Sequence, residues 1–400
     1  MTTKGWLWTL LLVSLLLKIV VVLTSGASYD LHSDDRSYLE TARIWLETGT
    51  FTYNDPTRPT VFITPAYPAF LAVLMKIIGP GFAMEQTVRI LQAVMVTAAL
   101  YVLFQIGRKL FSEKAAVVAV GMTAFYIPLW LVSNLLLTEA MFVLALLLLI
   151  DSALLAMEDP TPKRALLFGL VWVAAIYIRP TIALWPGLFF LLLLSKRKIP
   201  WAQLLKCGGI VAVVLILCLM PWWVRNYEVS GGHFIALTKA GGNPLLLGTF
   251  PYGLPPLEEQ RTWHATNDLW VNDEFDAQWA KERIKDGFSN SFWKYLSWYT
   301  FGKFGKFWGE AFYWLPVAGI PAVLVWVYHY AILLPSFWGM WKARKIEGAQ
   351  AVVLLLAYFS VLHMIYLAHG RYSAPLMPIM ALFTAYAFLG RAKKGSLRVK

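Results

Sequence analysis

A chain of 400 residues with 58% hydrophobic, 15% aromatic and only 14% charged side chains, and a mean hydropathy of +0.59, is excluded from the soluble globular class, where roughly 45–50% apolar and about 25% charged residues are usual. Its net charge of +12 is dispersed over short segments between apolar runs, so it does not form the clustered basic face that nucleic-acid binding needs. The sequence reads as an all-α, multi-pass integral membrane protein, a single membrane domain over 1–400.

In chain order, apolar runs near the length of a spanning helix, about 17–25 residues, are expected at 6–25, 87–107, 115–132, 140–157, 165–178, 181–195, 204–223, 314–340, 349–368 and 373–390. That makes about ten, with a short pair flanking Arg179-Pro180. Small residues, Ser25 to Ser28, follow the first run as they would a signal peptide. Its removal would leave an odd number of spans and spoil the charge alternation. Two connections, 26–86 and 224–313, are too long for turns, and segments of that length are usually functional. The first predicts a short amphipathic helix with Tyr38, Leu39, Ala42, Trp45 and Leu46 on its apolar side, capped by Ser33 or Asp34 and ended by Gly49. Pro65-Ala66-Tyr67-Pro68 then opens an apolar helix, 69–78, too short to span, with proline fixing a bend. The second carries Trp263, Trp270, Trp279, Trp293, Trp298 and Trp308 among charges, which predicts helices lying at the membrane interface.

Sorting charge by connection sets the topology. One side holds 18 of the 35 basic residues, Arg391, Lys393, Lys394, Arg398 and Lys400 among them, against five acidic ones. The other side holds 16 basic and 18 acidic residues, and Lys18 lies inside the first run. The excess of Lys and Arg predicts both termini in the cytoplasm and both long segments outside it. Cys207 and Cys218 fall on one helix about 16 Å apart at 1.5 Å per residue, beyond the reach of a disulfide. His32, His233, His264 and His369 show no ligand spacing, so no metal site is read.

Chemistry-bearing residues collect on the outer side. Asp34-Asp35 follows the first run. Such carboxylates can act as general bases, typically worth about 10²–10⁴-fold, or can simply favour the first turn of a helix through its dipole. Glu139 stands in an otherwise uncharged stretch. An ionisable group there is costly and marks function, unless it occupies a solvated turn. Arg179, Arg225 and Arg371 fall at the outer interface, where a guanidinium can grip a phosphate bidentately or snorkel to lipid headgroups.

Taken in order, these pieces resemble the polyprenyl-phosphate-sugar-dependent glycosyltransferases of the GT-C fold, within them the bacterial branch of the protein O-mannosyltransferase and aminoarabinose lipid A transferase group. The likeness rests on Asp34-Asp35 with Tyr38 and Ala42, the Pro65-to-Leu71 element, Thr138-Glu139, Arg179-Pro180, the string Pro221-Trp222-Trp223-Val224-Arg225-Asn226, and Arg371-Tyr372. Ala66 departs from it, standing where glycine is usual, and Arg58 is the basic residue upstream of the proline element.

The resemblance implies a bacterial enzyme of the cytoplasmic membrane with its active site outside. It would move a hexose or pentose from an undecaprenyl phosphate to an envelope glycan, lipid or protein, with inversion. It implies catalytic roles for Asp34, Asp35 and Glu139, with Asp34 deprotonating or orienting the acceptor. It also implies donor-phosphate contacts from Arg225, Arg371 and Arg179, and a sugar or acceptor pocket at Tyr67 and Tyr372. No cofactor is required by the sequence: no phosphate-cradling or dinucleotide glycine motif is present, and a divalent metal is left open. Rival readings are a transporter or flippase, which would place its charges near the bilayer midplane, and a polymerase or ligase of lipid-linked glycans.

Overall fold

The computed structural model describes residues 2–390. The basic residues Arg391, Lys393, Lys394, Arg398 and Lys400 lie outside them. The described chain is helical: α1 (Thr3–Ser25), α2 (Asp34–Thr48), α3 (Ala66–Ile78), α4 (Phe82–Leu110), α5 (Glu113–Ala124), α6 (Ile127–Asn134), α7 (Glu139–Glu158), α8 (Pro162–Ile178), α9 (Trp185–Lys196), α10 (Trp201–Val229), α11 (Gly242–Leu247), α12 (Leu257–Arg261), α13 (Leu269–Asn290), α14 (Phe292–Ser297), α15 (Lys303–Gly309), α16 (Ala322–Ala343), α17 (Glu347–Ile365), α18 (Gly370–Ser373) and α19 (Met377–Leu389). Seven helical segments are long and apolar enough to cross a membrane, or eight if α5 and α6, bent by 59° at their junction, count as one. The chain is a multi-pass membrane protein.

Of the ten expected spans, seven are membrane-length helices, the 115–132 run is the bent α5–α6 pair, and the pair around Arg179-Pro180 falls short. The helix before it has 17 residues, and Pro180–Lys196 is a shorter apolar helix. Arg179 and Pro180 interrupt what would otherwise be one run, because the residue before a proline is pushed out of the helical region, and Arg179 indeed has ψ 115. The segment expected at 314–340 also starts late, at Ala322. Pro316, Pro321 and a left-handed Ala318-Gly319 pair (φ +51 and +67) keep its first residues in a loop, tied by Tyr313, whose hydroxyl donates to the Ile320 carbonyl at 2.6 Å.

The two ends of the helices differ in character. At one, Lys109 pairs with Asp151 at 2.6 Å, Lys198 with Glu347 and Lys342 with the carbonyl of Ala387 at 2.7 Å. At the other lie α2, α3 and α11 to α15. In this outer layer Gly49 ends α2 in the left-handed conformation (φ +74), as expected. Ser33 stands at the N-cap position but makes no side-chain cap bond. The six outer tryptophans do not share one environment. Trp293 is 77% exposed, whereas Trp298 and Trp308 are buried, their indoles donating to the Gly248 carbonyl and Ser360 Oγ at 2.9 Å each. The interfacial reading therefore fails for those two: Trp308 fastens α15 to α17, and Trp298 ties its segment to the end of α11.

In lipid, helices associate through close packing at small residues and not through exclusion of water. Gly339 of α16 lies so near α19 that a Cβ there would stand 2.0 Å from the Phe383 carbonyl oxygen. We expect Gly339→Ala to push the helices apart at an overpacking cost of about 1–3 kcal/mol, read as a lowered thermal midpoint of the detergent-solubilised protein. An unchanged midpoint would show that this crossing tolerates expansion.

Candidate active site

Four helix termini converge on one polar cluster. The chain breaks between α6 and α7, and two α4 side chains hold the break open. Gln92 donates to the carbonyls of Ser133 at 3.0 Å and Leu135 at 2.7 Å, and Arg89 donates to that of Asn134 at 3.0 Å. These bonds satisfy carbonyls that the interrupted helix leaves free. The α7 helix then begins at Glu139, in its first turn, where the helix dipole favours an anion.

Glu139 is 1% exposed and lies between two guanidinium groups. Arg179, just past α8, approaches its Oε1 with Nη2 at 2.6 Å and donates from Nε to Thr138 Oγ1 at 2.8 Å. Arg371, at the start of α18, donates from Nε to the same Oε1 and from Nη1 to Asp34 Oδ2 at 2.9 Å. Asp34 Oδ1 accepts from the Tyr53 hydroxyl at 3.3 Å. The two carboxylates balance the two cations, which is the condition for keeping Glu139 and both guanidinium groups largely out of water, while the Asp34 side chain is 39% exposed. One amine of each guanidinium, Arg179 Nη1 and Arg371 Nη2, has no hydrogen-bond partner among the described residues. Glu139 Oε2 likewise has none.

Above this cluster opens a cavity of about 250 Å³ lined by Asp34, Tyr38, Phe62, Arg179, Arg371 and Tyr372, among others. The Arg179 guanidinium lies over the rings of Phe142 at 5.5 Å and Tyr372 at 5.8 Å, and Tyr372 stacks on His363 at 4.7 Å. Burial raises the phenol of Tyr38, and the charge of Asp34 adds to the effect. Burial also raises the phenol of Tyr53, again with Asp34 beside it. Both side chains are therefore neutral hydroxyls next to that carboxylate. Among the described residues no group of three or more His, Cys, Asp or Glu side chains comes together to hold a metal ion.

The residues singled out from sequence thus divide. Asp34, Glu139, Arg179, Arg371 and Tyr372 come together. Asp35 does not join them. Its Oδ1 accepts from the backbone N–H of Ser33 at 2.9 Å and Arg36 at 3.1 Å, and its Oδ2 from that of Leu31 at 2.7 Å. It is buried and shapes the turn that presents Asp34, which corrects the expectation of a catalytic pair. Arg225 is also set apart. It donates to the carbonyls of Thr60 and, at 3.2 Å, Phe51 and lies over the rings of Phe51 and Trp222. A guanidinium committed to loop carbonyls is not free for phosphate. Tyr67 is buried and donates to Gln92 Oε1 at 2.8 Å, with its ring edge against Tyr38 at 5.3 Å. It backs the cavity wall and does not line it. Tyr53, Phe62, Arg89 and Gln92 went unnoticed in sequence. Of these, Arg89 and Gln92 carried a signal, as polar residues within an apolar run.

The comparisons agree with this architecture. Residues 58–224 match the model of the dolichyl-phosphate-mannose-protein mannosyltransferase family. Among solved structures, the chain is similar to ArnT from Cupriavidus metallidurans bound to undecaprenyl phosphate (TM-score 0.58, 15% identity, 96% of this chain and 60% of that one). It is also similar to the Archaeoglobus fulgidus oligosaccharyltransferase tethered with an acceptor peptide (TM-score 0.58, 13% identity, 96% and 49%). The archaeal oligosaccharyltransferase AglB of the same organism, in complex with an inhibitory peptide and a dolichol-phosphate, matches with TM-score 0.56, 12% identity and coverage of 96% and 50%. The chain spans about half to three fifths of the length of these structures. No curated protein sequence matches it significantly. The chain has the GT-C fold of these structures.

The assignment of Arg225 and Asp35 to loop and turn is testable by stability. Buried hydrogen bonds to charged groups contribute about 1.5–3 kcal/mol, so Arg225→Ala and Asp35→Ala should each lower the thermal midpoint clearly, while Asp34→Asn, at a side chain 39% exposed, should lower it less. Equal loss in all three variants would contradict the division.

Proposed function

We propose that the protein is a glycosyltransferase that takes a sugar from a polyprenyl phosphate and transfers it to a cell-envelope acceptor on the extracytoplasmic face of the cytoplasmic membrane, with both termini in the cytoplasm. The observation that carries the reading is the Asp34–Arg371–Glu139–Arg179 cluster. It lines or underlies a cavity at the end of the spans opposite the Lys- and Arg-rich connections. A lipid-phosphate sugar keeps its tail in the bilayer and its phosphate at the interface, the level at which this cavity opens.

In the proposed reaction the acceptor hydroxyl oxygen attacks the anomeric carbon while the bond from that carbon to the phosphate oxygen breaks. The electron pair leaves with the phosphate, and the hydroxyl proton passes to Asp34. Arg179 Nη1 and Arg371 Nη2 supply donors aimed at the charge that grows on the leaving phosphate, the kind of interaction that lowers a barrier. Glu139 holds both arginines in place from beneath. A single displacement inverts the anomeric centre. Undecaprenyl is the proposed carrier; ArnT, one of the similar structures, is bound to undecaprenyl phosphate.

With purified protein in lipid and radiolabelled polyprenyl-phosphate sugars, Asp34→Asn should reduce transfer by about 10²–10⁴-fold, with donor binding retained. Arg371→Lys keeps the charge but loses the fork, and should raise the donor KM. Transfer by Asp34→Asn at the wild-type rate would remove Asp34 from the mechanism. Lipid-linked sugar that crosses a vesicle membrane without transfer would favour a flippase. For orientation, Asn267→Cys should react with an impermeant maleimide added to intact cells, and Lys198→Cys should not. The reverse pattern would invert the topology.

A further inference from the structure

A second cavity, of about 480 Å³, lies against the reactive one, between the loop 53–62, the end of α10 and the start of α13. Its size falls within the roughly 300–1,000 Å³ of small-ligand sites. We propose that it is a docking cleft for a carbohydrate acceptor, holding the sugar units behind the one whose hydroxyl meets Asp34. The inference rests on the glycosyltransferase reading above and adds the chemical class of its acceptor.

The lining favours a neutral, hydroxyl-rich ligand. Its cations already have partners: Arg58 Nη1 lies 2.7 Å from Asp268 Oδ2, and Lys239 Nζ lies 3.0 Å from Glu274 Oε1. An anionic ligand would have to break those pairs to gain its own. Sugar hydroxyls, in contrast, donate and accept at once, and the cleft offers both kinds of partner, Asn267 and His233 beside Asp55. Tyr53, Phe62 and Trp270 are its aromatic elements, and Trp270 is fixed by its indole N–H to Glu274 Oε1 at 2.7 Å and by Lys239 over its ring at 4.2 Å. A flat, oriented ring suits the C–H face of a pyranose.

An extended peptide fits less well. It would bind by adding backbone bonds along a free edge, and this edge is taken. Thr60 N–H donates to the Phe51 carbonyl and Lys239 N–H to the Val61 carbonyl, each at 2.9 Å, while Arg225 occupies the carbonyls of Thr60 and Phe51.

The two cavities communicate in a way a chain of sugars can use. Phe62 lines both and stacks on Tyr53 at 5.7 Å, the residue whose hydroxyl donates to Asp34. On the facing segment Lys239 lines the cleft, while Thr238 and Ala240 line the reactive cavity. A glycan end passing Phe62 arrives beside the carboxylate.

The test is binding of the full chain, in lipid nanodiscs, to an array of oligosaccharides covering the common hexoses, pentoses and amino sugars, with a Ser/Thr peptide library alongside. We expect selective glycan binding that Asp34→Asn retains, and a loss of about tenfold or more in the double variant Trp270→Ala/Asn267→Ala. Trp270→Phe should restore part of it, and the exposed His233→Ala should weaken binding without altering the thermal midpoint. Binding to no glycan, unaltered binding by the double variant, or peptide binding in place of glycan would each overturn the cleft. The transfer assay with Asp34→Asn is separate: if that variant still transfers sugar, the catalytic reading falls, whatever the array shows.

Discussion

The outer half of the molecule is organised by one buried carboxylate. Glu139 is held by Arg179 and Arg371, so the start of α7, the end of α8 and the start of α18 cannot separate without exposing unpaired charge to an apolar surround. Removing one partner of such a buried cluster typically costs about 3–5 kcal/mol. The constraint also runs outward. Because Arg371 spans both carboxylates, the position of Asp34 is fixed by the same guanidinium that is fixed by Glu139. The loop that carries Asp34 is thereby referred to the membrane bundle.

That arrangement requires each helix to begin or end at the right depth, and local chemistry accounts for each terminus. Gln92 and Arg89 satisfy the carbonyls exposed where α6 stops short of α7. Pro180 ends α8 and leaves Arg179 extended, with its side chain free to reach Glu139. In α2, Asp35 collects the free N–H groups of the turn, which leaves its neighbour Asp34 to face the cavity. Two adjacent aspartates thus do different work because one is spent on backbone donors and the other on Arg371.

This contrast also marks what a sequence discloses in a protein of this kind. The apolar runs, the segregation of Lys and Arg, and an isolated Glu139 are legible because lipid penalises every exception to them. Position at the ends of the spans is legible too, and Asp34, Glu139, Arg179 and Arg371, placed together on that ground, do meet in the structure. Lateral neighbours are not legible. Arg225 also stands at the end of a span, but it projects from α10 toward the Thr60 and Phe51 carbonyls, and nothing in its spacing distinguishes a loop clamp from a phosphate ligand. Tyr53 was invisible for a related reason, since its loop has no periodicity from which a side-chain direction follows.

Arg225 nonetheless bears on the site through that loop. By tying down Thr60 and Phe51 it fixes the segment whose Phe62 divides the two outer cavities and whose Tyr53 reaches Asp34. The loop is exposed at its tip, at Asn54 and from Pro56 to Pro59, and a segment so placed would sample many conformations if only its ends were held. A charged donor on two of its carbonyls removes much of that freedom before any ligand arrives. Less entropy is then lost on binding, which is how preorganisation raises affinity. The residue that sequence reasoning set against the phosphate acts one layer out, on the wall between the Asp34 cavity and its neighbour.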